Sequence, residues 1–116
     1  MIRRKEEREI VKLEQPFGGK GYFYRQDLLN CPDELYGKGR VYSHMTLPPG
    51  SQAGYHEHHG DAEVYYILKG RGQINDNGVI EDIKEGDVAV TFEGEGHSIY
   101  NNSDEDLEFI ALIYYK

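Results

Sequence analysis

The sequence has a single cysteine, Cys31, among its 116 residues. No disulfide can form within the chain, which excludes a small secreted scaffold held by cystine staples and makes a reducing cytoplasm the expected compartment. No strongly basic residue adjoins Cys31 to lower its pKa, so it reads as a packing residue and not as a nucleophile. Long apolar runs are missing too. No segment reaches the ~20 residues that span a bilayer, and the basic, then mixed, stretch Met1 to Arg8 has no apolar run behind it of the kind a signal peptide carries. Basic residues are in deficit, 13 Lys and Arg against 21 Asp and Glu, for a formal net charge of −8. Such a surface opposes a polyanion, so nucleic acid is not an expected partner. An anionic small molecule remains compatible, because a buried metal ion reverses the local sign.

Alanine is scarce, whereas glycine (14) and tyrosine (10) are abundant, a composition that favours short strands and tight turns over helices. Apolar or alternating runs fall at Ile10 to Leu13, Gly21 to Arg25, Val41 to Leu47, Val64 to Leu68, Gly72 to Asn75, Val88 to Phe92 and Leu107 to Tyr115. Turn signals separate them: Pro48-Pro49-Gly50, His59-Gly60-Asp61, Asp76-Asn77-Gly78, Lys84 to Asp87, Glu93 to Gly96 and Asn102 to Asp104. Many short strands at close spacing imply an all-β sandwich or barrel. Single helical turns are expected only at Asp27 to Leu29 and Asp33 to Tyr36. One domain accounts for the whole chain, with residues 1–39 supplying an arm and accessory strands and residues 40–116 the barrel. The first eight residues read as a mobile arm or as a strand added to a partner subunit.

Chemistry concentrates between Gly50 and Gly70. In an extended strand, side chains at i and i+2 share a face, so His56 and His58 look into one space while Glu57 and His59 look out. Glu63 follows a tight turn and can return its carboxylate beside the pair, and His97 opens a strand after the glycine-rich Glu93 to Gly96 loop. Three imidazoles and one carboxylate suit a single divalent transition ion (Mn, Fe, Co, Ni, Cu or Zn) better than Mg or Ca. The same parity places Tyr65 and Ile67 inward with Glu63, Ile99 and Asn101 inward with His97, and Gln52 and Gly54 on the His56 face. Tyr65 and His44 are the candidate pocket residues beyond the ligands, although Pro48-Pro49 interrupts the count that would orient His44. Asn101 reads as a turn-ordering residue, and Asp104-Glu105-Asp106 as a solvated loop.

The spacing resembles the two motifs of the cupin superfamily. Gly50, His56, His58, Glu63 and Gly70 fit the first motif throughout; Gly86, Gly94, His97 and Asn101 keep register with the second, where Phe92 replaces a proline. Fifteen residues between the motifs is a short spacing similar to that of compact microbial cupins, grouped loosely with oxalate decarboxylase-like proteins. The resemblance covers residues 40–115 and implies a double-stranded β-helix (jelly-roll) barrel, often dimeric, with the ion bound inside one end.

That resemblance does not fix a reaction. An enzyme acting on a small oxygen-rich molecule, by decarboxylation, oxygenation or isomerisation, is the first expectation. A non-catalytic module that binds a small acid or sugar, and a barrel whose metal is structural, are the alternatives. An acid ligand calls for an arginine, and Arg25, Arg40 and Arg71 are the ones to place. The hydrophobic outer sides of the Val64 to Leu68 and Phe109 to Tyr115 runs suggest a homodimer.

Overall fold

The computed structural model describes residues 1–116 and contains ten strands with three single-turn 3-10 helices. The strands are β1 (Ile10–Glu14), β2 (Tyr22–Asp27), β3 (Gly39–Leu47), β4 (Gln52–Glu57), β5 (Asp61–Lys69), β6 (Arg71–Asp76), β7 (Val79–Lys84), β8 (Val88–Thr91), β9 (Gly96–Tyr100) and β10 (Leu107–Tyr115). A six-stranded sheet runs β1-β2-β3-β10-β5-β8, and a four-stranded sheet runs β4-β9-β6-β7. Every pairing is antiparallel. The all-β jelly-roll expectation therefore holds.

Inward residues of both sheets meet in one core, where Leu47, Ile67, Ile99 and Leu107 are almost fully buried. Each such aliphatic side chain contributes about 1.5–3 kcal/mol relative to exposure. Asn101, also fully buried, donates to the carbonyls of Leu47 and Glu105 and accepts from Ser103, so it orders the turn before β10 as its position implies. No helix is long and apolar enough to cross a membrane.

Three local features differ from the sequence reading. Strand β7 pairs along its whole length with β6, yet only Ile83 of its six residues is buried, so its composition carries no alternation to detect. Asp27 to Leu29 makes no helical turn, because Asp27 closes β2 and the Leu28 amide donates to the Tyr42 carbonyl, extending the pairing with β3. The amino-terminal segment lies against its own chain: Arg3 bonds the Leu28 carbonyl and the Glu34 carboxylate at 3.0 and 2.8 Å, and Lys5–Glu7 forms a 3-10 turn.

Candidate metal centre

Strand β4 does not run regularly. It pairs with β9 at Ala53↔Ile99 and again at His56↔His97, so three steps on β4 oppose two on β9. The extra residue is a bulge at Gly54-Tyr55, and it reverses the side-chain parity between Ala53 and His56. Ala53 is therefore buried and lines the barrel interior, correcting the expectation that Gln52 and Gly54 share the His56 face. Past the bulge, His56 is inward, and its Nδ1 lies 2.8 Å from the Gly54 carbonyl.

His58 lies just past the end of β4, held by the loop before β9: its amide donates to the Glu95 carbonyl and its carbonyl accepts from the Gly94 amide. That loop also explains Phe92. The Phe92 amide donates to Glu95 Oε1 at 2.8 Å, a bond that a proline could not make. Glu63 and His97 come from β5 and β9, and Glu63 pairs directly with Thr91 of β8.

All four expected ligands converge. The ligating atoms of His56, His58, Glu63 and His97 lie within 4.8 Å of one another. His97 Nε2 is 3.1 Å from His56 Nε2 and 3.2 Å from His58 Nε2, and Glu63 Oε1 is 2.9 Å from His97 Nε2 and 3.2 Å from His58 Nε2. Each Nδ1 is engaged on the far side of its ring, His56 by the Gly54 carbonyl, His58 by Asp61 Oδ1 at 2.8 Å and His97 by Thr91 Oγ1 at 2.8 Å. A carbonyl and a carboxylate only accept, so His56 and His58 keep a proton on Nδ1, and Nε2 is the atom through which each ring can offer a lone pair inward once it has lost its own proton. Lone pairs this close repel unless a cation joins them. The donor set thus fits one divalent transition ion.

The electrostatics agree. Burial alone would raise the Glu63 pKa, but the surrounding imidazoles overcome it and hold the carboxyl well below the ordinary carboxylate range, as an anionic oxygen donor. Hydrogen bonding to Glu63 raises His58, an effect that burial opposes and Asp61 reinforces. Burial lowers His97 despite Glu63. Asp61 is itself held below its usual value: burial pushes it up, but His58 and Arg40 outweigh that, with Arg40 Nε 3.0 Å from Asp61 Oδ2. By sequence alone Asp61 reads only as a turn residue. It sits two positions before Glu63 on β5, and that shared parity is the signal that places it inward.

Tyr65 is buried, its ring stacked on His97 with centroids 5.0 Å apart, and burial together with Glu63 keeps its hydroxyl protonated. Phe17, an exposed residue, stacks on the His56 ring with centroids 3.8 Å apart and the planes nearly parallel. This residue was not anticipated; it arrives through the β1–β2 connection, whose backbone approaches β4 so closely that a Cβ on Gly54 would lie 2.3 Å from the Phe17 carbonyl oxygen. His44 does not reach the metal site. It faces a separate cleft on the outer side of the six-stranded sheet and pairs with Glu108 at 2.9 Å. His59 is exposed beside Glu57. Burial raises the Cys31 thiol, which keeps it a weak nucleophile.

A cavity of about 330 Å³ opens beside Glu63 and Tyr65 inside the barrel. Phe23, Met45, Leu47 and Phe109 line its floor, while Arg25 and Arg40 both border it. Arg71 lies elsewhere, in a surface cleft with Asp82 and Lys84.

The Cupin domain family matches residues 43–113, more than half of the chain. The chain belongs to the cupin family. Among curated relatives, the oxalate-binding protein of Thermotoga maritima is 43% identical over 113 residues, covering 97% of this cupin and 93% of that protein. An uncharacterised protein of Methanocaldococcus jannaschii is 27% identical over 110 residues, 91% of this chain and 87% of that one. Among solved structures, a predicted oxalate decarboxylase of Thermotoga maritima superposes over the full length of both chains with a TM-score of 0.95 and 42% identity. An RmlC-like cupin of Shewanella frigidimarina shares the fold at a TM-score of 0.76 and 17% identity, covering 99% of this cupin and 90% of that chain.

Proposed function

We propose that this cupin binds one divalent transition metal through His56, His58, Glu63 and His97, and that the ion captures a small organic acid in the barrel. The carrying observation is the convergence of one carboxylate oxygen with three Nε2 atoms whose rings are already engaged at Nδ1. By formal charges a divalent ion with one carboxylate leaves a net positive centre, and the guanidinium groups of Arg25 and Arg40, paired with Asp27 and Asp61, border the cavity. The name of the Thermotoga relative supports an acid as the ligand class, with oxalate the first to test. Purified protein should contain one equivalent of Mn, Fe, Co, Ni, Cu or Zn by elemental analysis. Calorimetric titration with oxalate should give heat only when the ion is present; failure to bind any of these metals would sink the reading.

Turnover is a second reading, favoured by the Tyr65 hydroxyl, a protonated donor beside Glu63 at the cavity. A bound metal would supply Lewis-acid polarisation of the acid's oxygens. Tyr65 would hold a proton near the reacting end, and the apolar floor would exclude water. Product analysis after incubation of the loaded protein with candidate acids separates an enzyme from a binding module. Wholesale unfolding on chelation would point to a structural ion.

We also infer a homodimer through the outer face of the six-stranded sheet. Ile110, Tyr66 and Val88 are cross-strand neighbours there, and Tyr66 and Val88 are 47% and 60% exposed.

A further inference from the structure

The cavity does not match the smallest acids. Its volume is about 330 Å³, whereas oxalate, two carboxylates joined directly, displaces roughly two to three waters at about 30 Å³ each. Its inner wall is apolar and buried, formed by Phe23, Leu47, Ala53, Phe109 and Ala111. Exposed Glu14, Gln15 and Phe17 border it on the solvent side, so a ligand can enter from there. A concave apolar wall of this kind is shaped for an apolar occupant.

The lining also carries polar groups, Glu14 and Gln15 among them. Glu63 and Tyr65 mark the metal end. Elsewhere on the lining stand Arg25 and Arg40, the latter tied to Asp61 through Nε. Arg25 is ion-paired with Asp27, its Nε 3.1 Å from Oδ1 but not aligned for a hydrogen bond, so the Nε–H remains free to donate. A buried N–H of this kind is satisfied by a ligand oxygen.

We propose that the ligand of this cupin is an amphipathic acid: a carboxylate at the metal end, carrying an aliphatic or aromatic body that fills the chamber. This rests on the metal-dependent acid binding proposed above and names the ligand class for that same site. Oxalate then occupies only the metal end, leaving the chamber wet.

The test is calorimetric titration of the Mn-loaded protein with oxalate, pyruvate, α-ketoisocaproate and phenylpyruvate. Affinity should rise from pyruvate to α-ketoisocaproate by at least tenfold, since each buried CH₂ is worth about fourfold. Ala111→Leu, which projects a larger side chain into the chamber, should weaken the two larger acids at least tenfold more than it weakens pyruvate. If that variant does not fold, the ligand series on the unaltered protein decides alone. Affinity that is flat or falls with apolar size, with oxalate the tightest binder, would overturn the amphipathic ligand and leave metal-dependent acid binding standing. Retention of the metal with no heat from any acid would instead overturn the acid-binding reading itself.

Discussion

Asp61 accepts from His58 Nδ1 at 2.8 Å, two residues upstream of the carboxylate that faces the same ring's Nε2. One short stretch of β5 thus grips His58 from both sides, and Arg40 fixes Asp61 in turn. Such outer partners orient an imidazole and raise its basicity. Asp61→Ala should therefore weaken metal affinity about 10- to 100-fold with all four ligands intact, measured by competition with a chromophoric chelator. Unchanged affinity would show that His58 is oriented by its backbone bonds alone.

Acidity should couple to metal binding with a definite sign. In the metal-free protein Glu63 raises His58 above the usual imidazole value, so His58 holds its proton to higher pH than a free imidazole and the ion must displace it. Its contribution to the metal-free fold is complete below about pH 6.5 and is lost as pH rises through the raised folded value. The difference in Tm between metal-loaded and chelated protein should accordingly widen as pH rises from 6 to 8. Calorimetry in buffers of differing ionisation enthalpy should register net proton release; net uptake would contradict the assignment.

Gly54 serves two neighbours at once. It lies in the β4 bulge, where its carbonyl faces His56 Nδ1, and its missing Cβ admits the Phe17 carbonyl and the Gly19 amide. Gly54→Ala should lower stability by about 1–3 kcal/mol through overpacking against backbone and should weaken metal binding through His56, whose Nδ1 partner is the Gly54 carbonyl. Thermal unfolding and metal titration of the same sample test both effects.

Tyr66→Asp addresses the proposed dimer. Tyr66 is cross-strand to both Ile110 and Val88 on the outer face, away from the metal ligands. Light scattering should report a monomer with full metal content, whereas an unaltered mass would place the interface elsewhere.

Much of this arrangement is legible from residue order alone because strand parity is a rigid rule. It puts His56, Glu63, Tyr65 and His97 inward, and it separates His59 from the site. Where parity fails, an extra residue intervenes: the bulge at Gly54-Tyr55 turns Ala53 inward, and nothing in that short sequence marks which residue is surplus. Phe17 and Arg40 are illegible for another reason. Their roles come from the approach of segments distant in sequence, β1–β2 to β4 and β3 to β5, which no local pattern encodes. Strand β7 escapes because an outer strand with one buried side chain has no hydrophobic period to read.

The three imidazoles rest on three chemically different anchors: a peptide carbonyl, a carboxylate and a hydroxyl. Each polarises its ring to a different degree, the carboxylate most strongly. A paramagnetic ion in this cupin would therefore meet three magnetically distinct nitrogens. Their exchangeable Nδ1 protons would give separate, strongly shifted resonances, with His58 identified by its collapse in Asp61→Ala.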